Sequence, residues 1–313
     1  MIQALHSGAR GHRSMKNSPA LTSIRSTMIF LLVLMATLIG LSSVFEPATA
    51  RLRAAAPVGT INSNYALLSE VFVSIAVFIS LLIMRRIDKT PLAERNLGKR
   101  PRYGEVALGL SAGLSTLAFI LLIQLALGVL RITPSAEAAP LQIHDCVIWA
   151  QCFLITGICE EAVFRGYLLG TLQKGLGFWP ATAISSVLFA VVHLPNYGER
   201  ASGIFVCVLF SVLFALTVRL TDTIWFAVGF HAAWDWSQTY LFGTSDSGIH
   251  GNGHLLNSIP SGPDWLNGGA TGPEGSVITM LVVAILIAFV QSRCNRTIAM
   301  PLPEYSRREA RQA

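Results

Sequence analysis

The sequence predicts an all-α integral membrane protein, with about eight transmembrane helices around a central intramembrane cavity. Three observations predict it. Of the 313 residues, 52% are hydrophobic and only 13% are charged, whereas roughly a quarter of a soluble domain is charged. The apolar residues fall into eight separate runs, most of them near the ~20 residues that a span needs. Lys and Arg gather in alternate connections between those runs, which marks one side of a membrane. The net charge of +6 therefore orients the chain in a lipid bilayer and implies no nucleic-acid partner.

In chain order, residues 1–26 form a basic tail with Arg10, Arg13, Lys16 and Arg25 and no acidic residue. The first apolar run, Met28 to Val44, is followed by Ala48-Thr49-Ala50, which has the look of a signal-peptidase site. The basic segment before it is long for a signal peptide, so an uncleaved first helix is expected. The second span, Tyr65 to Met84, carries Glu70 near its outer end, where it can face water or a neighbouring helix. A loop from Arg85 to Arg102 with seven Lys and Arg leads to the third span, Glu105 to Leu130. Pro134 and Pro140 precede the fourth, Ile143 to Leu172, which Gly175, Gly177 and Pro180 are expected to break.

The fifth span, Ala181 to Leu194, is short. The sixth runs from Gly203 to Leu220 and the seventh from Thr223 to Phe242. A connection rich in Gly, Ser and Asn, expected to be a plain solvent loop, includes His250 and His254. The eighth span, Ser276 to Gln291, leads into a second basic tail. The organisation is thus a tail (1–26), two helices with a basic loop (27–99), a core (100–292) and a tail (293–313).

With the N-terminus inside, eighteen Lys and Arg fall on the cytoplasmic side and only Arg51, Arg53, Arg131 and Arg200 fall outside, while Arg165 lies within a span. That asymmetry predicts a multi-pass protein of the plasma or cytoplasmic membrane with both termini cytoplasmic. The five cysteines form no CxxC pair and read as small core residues, with neither a disulfide framework nor a Cys-based zinc site. Trp179, Trp225, Trp234, Trp236 and Trp265 read as interfacial or packing residues.

One stretch breaks the apolar pattern: Cys159-Glu160-Glu161-Ala162-Val163-Phe164-Arg165-Gly166, inside the fourth span. Each charge at the centre of a membrane helix costs about 2.5–3.5 kcal/mol on insertion scales. Glu161 and Arg165 are four apart and share a helix face, so they can form a structural ion pair. Glu160 points about 100° away round the helix and is left for chemistry. Two other spans carry polar groups: Phe189-x-x-x-His193, and His231-x-x-x-Asp235. A lone histidine on an apolar helix is usually a satisfied core residue, and His231 and Asp235 could simply bond to each other. Depth argues otherwise. Counted at 1.5 Å per residue from the inner ends, Glu160, His231 and His193 lie roughly 18, 12 and 20 Å deep, as a common buried site requires.

Glu160, His193, His231 and Asp235 in a water-accessible cavity suit activation of water for hydrolysis. Glu160 would take the proton, His193 would orient the water or act as second acid or base, and His231 would stabilise an oxyanion. No cofactor is needed for this chemistry. Zinc is the alternative, with the same four residues as candidate ligands, although HExxH is absent.

Glu160-Glu161-x-x-x-Arg165, Phe189-x-x-x-His193 and His231-x-x-x-Asp235 resemble, in order and spacing, the three motifs of the CPBP family of intramembrane proteases. That family includes the type II CAAX prenyl endopeptidases and the Abi proteins linked to bacteriocin immunity. The resemblance covers about residues 100–290. It implies eight spans around a conical cavity open to the membrane and the cytoplasm, and a membrane-associated protein or peptide substrate, prenylated in the CAAX case. It assigns Glu160 and His193 to water activation, and His231 and Asp235 to the oxyanion site. The family usually has Asn where Asp235 stands, and an ionised carboxylate would repel an oxyanion. Asp235 must then be protonated, orient His231, or ligate a metal. The competing expectation is a scaffold, an immunity factor or a proton-coupled transporter on a degenerate protease fold, since intramembrane Glu, His and Asp chains also relay protons.

Overall fold

The computed structural model describes residues 18–56, 59–89, 101–136 and 139–299. The tail residues Arg10, Arg13, Lys16, Arg307, Arg308 and Arg311, and Arg95, Lys99 and Arg100 of the basic loop, lie outside the described residues. The chain runs α1 (Pro19–Ala54), β1 (Thr60–Ile61), α2 (Ser63–Asp88), α3 (Tyr103–Ala126), β2 (Leu130–Pro134) and α4 (Ala139–Glu161). A π-helical stretch (Ala162–Leu168) joins α4 to α5 (Leu169–Leu176), followed by α6 (Phe178–His193), α7 (Ala201–Thr221) and α8 (Trp225–Trp236). After a second π stretch (Ser237–Leu241) come β3 (Ser245–Asp246), β4 (Ile249–Gly251), β5 (Leu256–Pro260), the short α9 (Asp264–Asn267) and α10 (Val277–Ala299).

Six helices among the described residues are long and apolar enough to cross a membrane: α1, α2, α3, the continuous α4–α5, α7 and α10. The chain is an all-α multi-pass membrane protein, as its apolar runs predict. The other two expected spans form helices that are shorter, 16 residues for α6 and 12 for α8. At 1.5 Å per residue α6 reaches only about 24 Å, less than the ~30 Å hydrocarbon core.

Boundaries shift for local reasons. α1 already begins at Pro19, inside the segment read as a tail. α3 stops at Ala126 because Gly128 turns with φ +71° and Leu130 pairs in a strand. The break after α5 belongs to Gly177 alone, at φ +83°. Gly175 instead lies inside α5 against α1, where a Cβ would stand 2.5 Å from Pro19 O. Pro180 sits in the first turn of α6, where a missing N–H is tolerated.

The strands collect at one end of the bundle. β1 pairs parallel with β4, β4 antiparallel with β3, and β2 antiparallel with β5 from Leu130↔Pro260 to Pro134↔Leu256. Gly198 N donates to Gly248 O (2.9 Å) and Asn196 Nδ2 to Ser247 O (2.9 Å), which ties the α6–α7 connection to the same layer. The Gly-rich connection is therefore a folded cap and His250 is a strand residue, contrary to the solvent-loop expectation. Ile249, Leu256 and Ile259 take strand positions between glycine turns. At Gly248, with φ +77°, a Cβ would meet Glu199 N at 2.2 Å, so glycine content here permits close packing.

The opposite end is sealed. Ser26 Oγ and Tyr167 OH both donate to Asp88 at 2.7 Å. Arg102 donates to Thr221 O (3.2 Å), and Thr223 Oγ1 to Glu105. Phe30, Met84, Tyr167 and Leu168 are fully buried between them.

Backbone contact sets the position of α8. A Cβ at Gly109 or Gly113 of α3 would stand 2.2 Å from Phe226 O or 2.3 Å from Phe230 O, and one at Gly229 of α8 would stand 2.3 Å from Val106 O. Gly157 of α4 faces Val228 O from the other side at 3.1 Å. Small residues at such crossings let backbones meet where lipid supplies no hydrophobic drive. α8 is thus clamped between α3 and α4, and its next turn carries His231 and Asp235.

Candidate active site

Glu160 and Glu161 are the last residues of α4 before the helix widens to i→i+5 bonding, and Arg165 lies within that wide stretch. Such π segments often accompany functional sites. Arg165 Nη1 donates to Glu161 Oε1 at 3.0 Å, with both side chains almost wholly buried. Its Nε and Nη2 make no hydrogen bond. The guanidinium lies instead 4.3 Å from the Phe189 ring centre and 5.1 Å from that of Phe214, where the ring quadrupoles attract a desolvated cation.

Glu161 has a second contact that sequence reasoning missed. His231 Nδ1 stands 3.0 Å from the same Oε1. A carboxylate oxygen accepts, so Nδ1 carries the proton and Nε2 turns toward the cavity. There Nε2 lies 3.4 Å from Asp235 Oδ2 and 3.8 Å from Glu160 Oε2. Glu160 Oε2 is buried and accepts no hydrogen bond. His193, the last residue of α6, is half-buried, and its Nδ1 lies 2.7 Å from Phe189 O. A carbonyl also only accepts, so the free ring nitrogen of His193 is Nε2. Phe189 stands between the histidines, its ring centre 4.7 Å from that of His193 and 6.1 Å from that of His231.

The structure thus brings Glu160, His193, His231 and Asp235 to one cavity of about 310 Å³. Glu70, placed at a helix end by the sequence, lines it too, close enough to Glu160 for their charges to interact. Asp246 and Glu274 of the cap also line it and were not foreseen. The available signal was a long connection holding Asp246, Asp264 and Glu274 but no Lys or Arg.

Glu274 fastens the cap to the site helix. Its Oε1 accepts from Trp234 Nε1 (2.7 Å) and Gln238 Nε2 (3.1 Å), and its Oε2 from Ser247 N (3.0 Å) and Ser247 Oγ (2.9 Å). Gln238 Nε2 also donates to Asp246 Oδ1 at 3.1 Å. Burial, reinforced by the Glu274 charge, pushes the Asp246 carboxyl well above the usual carboxylate range. Burial likewise raises Glu199, in the α6–α7 connection.

The cavity runs from Glu160 to the strand layer, where Ile61, Ser247, Ile249 and Gly251 line it. None of its lining residues lies in α5, in residues 71–88 of α2 or in residues 178–188 of α6. It therefore does not continue toward the sealed end. Among the described residues no three His, Cys, Asp or Glu side chains are arranged to hold a metal ion.

Residues 142–237, which span α4 to α8 and all three motifs, match the family described as type II CAAX prenyl endopeptidase Rce1-like. No curated protein matches the chain.

Proposed function

Since this chain belongs to the CPBP family of intramembrane proteases, we propose that it hydrolyses a peptide bond near the membrane by glutamate-activated water. The observation that carries this reading is the buried, unbonded Glu160 Oε2 facing His231 Nε2 across 3.8 Å. A structural carboxylate in a membrane would have a partner at hydrogen-bond distance, as Glu161 has through Oε1, although its Oε2 is also unbonded.

Water held between Glu160 Oε2 and His193 Nε2 gives its proton to Glu160 as its oxygen attacks the carbonyl carbon of the substrate. The new oxyanion accepts from protonated His231 Nε2, whose ring Glu161 steadies through Nδ1. The proton on Glu160 then passes to the amide nitrogen as the C–N bond breaks, leaving a carboxylic acid and an amine. General base catalysis of this kind contributes about 10²–10⁴ in rate, and one oxyanion donor about 10²–10³.

Asp235 serves best as a positioning group that shares the Nε2 proton and aims it at the oxyanion. Asp235→Asn puts an uncharged amide at that place, with an N–H that can donate to the oxyanion. Retained activity would support donation to the oxyanion, and abolished activity would support a charge or ligand role.

The test is cleavage of a membrane-proximal peptide by the purified, reconstituted protein. Cleavage is expected from the wild type and not from Glu160→Ala or His193→Ala. A Glu160→Ala protein that still cleaves would overturn the reading. Full rescue of a cellular phenotype by Glu160→Gln would favour the scaffold alternative.

A further inference from the structure

The cavity and the basic residues lie at opposite ends of the molecule. Apart from Arg165, the Lys and Arg among the described residues divide cleanly between these ends, nine against four. The ends of α1, α3 and α6 and the starts of α2, α4 and α7 meet in the strand layer, joined by β1–β4, β2–β5 and the Gly198–Gly248 bond. That end holds only Arg51, Arg53, Arg131 and Arg200. The sealed end holds Arg25, Arg85, Arg86, Lys89, Arg102, Lys174, Arg219, Arg293 and Arg296 among the described residues. Excess Lys and Arg stay on the cytoplasmic side of a membrane protein.

On each helix, the lining stops at the depth of the polar site and extends from there toward the strand layer. It takes Ala66, Ser69 and Glu70 from the first turns of α2, and Trp149 to Glu160 from α4. A groove beside the cap, between the last turns of α1 and the α6–α7 connection, shares Asn196 and Ile249 with the cavity. Tyr197, 86% exposed, stands on its rim. Toward the basic end the path is blocked by the buried Phe164, Tyr167, Leu168 and Met84.

We infer that the site is reached from the non-cytoplasmic face, and that its substrate is a membrane-proximal peptide segment presented there. This rests on the proteolytic reading above, and it departs from the cytoplasm-facing cavity that the family resemblance implies. A cytoplasmic, C-terminally prenylated tail would meet the sealed end. Electrostatics agrees. The lining offers five carboxylates, on Glu70, Glu160, Asp235, Asp246 and Glu274, and no Lys or Arg to receive the terminal carboxylate of such a tail.

The test uses the full-length protein in sealed vesicles, with Cys146 replaced by Ser and one new cysteine at a time. A membrane-impermeant maleimide is expected to label Tyr197→Cys in right-side-out vesicles, and Lys89→Cys only in inside-out ones. The reverse pattern would overturn the inference. In the same vesicles, an impermeant quenched-fluorescence peptide pool is expected to be cleaved at least tenfold faster by right-side-out preparations. Faster cleavage by inside-out vesicles would overturn it as well. Cleavage from neither side would remove the protease reading and the substrate with it, and the maleimide pattern alone would still decide which face the cavity meets.

Discussion

At the sealed end of the bundle, two carboxylates have partners at short range: Asp88 has Ser26 and Tyr167, Glu105 has Arg102 and Thr223. In the cavity half, Glu160 Oε2 has no hydrogen bond, and Asp235 has only a 3.4 Å approach to His231. Polar groups buried in a membrane are tolerated when paired, because an unpaired one bears the full desolvation cost. On the proposed reading, the contrast separates groups that hold the fold from groups left over for chemistry. The dividing line passes between two adjacent residues: Glu161 is bonded to Arg165 and His231, while Glu160 faces the cavity.

The comparison can be broken from its structural side. Arg165→Ala would leave Glu161 buried with half of its partners, and removing one member of a buried pair costs about 3–5 kcal/mol. The expected outcome is loss of a monodisperse, folded protein in detergent, read by size exclusion and thermal unfolding. Gly113→Leu should come next. Its side chain would strike Phe230 O and push α8 from α3, and overpacking costs about 1–3 kcal/mol or more. Unfolding temperature should fall, and His231 should lose its register with Glu161. A Gly113→Leu protein with unchanged stability and activity would refute the clamp.

Smaller changes sharpen the contrast. Glu274→Gln turns one of the carboxylate's two accepting oxygens into a donor and weakens the remaining charge-assisted bonds, each worth about 1.5–3 kcal/mol. Protease nicking within residues 243–276 should increase while the membrane helices stay intact. The smallest effect concerns Asp246. Its folded carboxyl holds a proton at pH values where the unfolded one has lost it, so stability should fall as pH rises from the ordinary carboxylate range through its raised value. Asp246→Asn should flatten that fall, measured as unfolding temperature against pH.

Much of the fold was legible because apolar runs in a membrane protein have few alternatives to helix. The three motifs likewise placed Glu160, His193, His231 and Asp235, since i,i+4 spacing survives folding. What was hidden depends on contacts between distant segments. No local pattern reveals that Glu161 reaches His231 70 residues on, that Gly109 and Gly113 seat α8, or that a glycine-rich connection folds into a cap. Glu70 was set aside because it lies near the outer end of its span, where it could face water or a neighbouring helix, and only the packing of α2 on α4 turns it inward. The length of α8 was overread because a hydrophobic run does not record where a helix changes to a wider turn at Ser237.

The central claim, that Glu160 is the base and Glu161 the brace, is tested most directly by measuring kcat and unfolding temperature together for Glu160→Gln and Glu161→Gln. Glu160→Gln should lower kcat by about 10²–10⁴ with the unfolding temperature unchanged, and Glu161→Gln should lower the unfolding temperature sharply. Wild-type kcat in Glu160→Gln, or the two effects exchanged between the variants, would contradict the account.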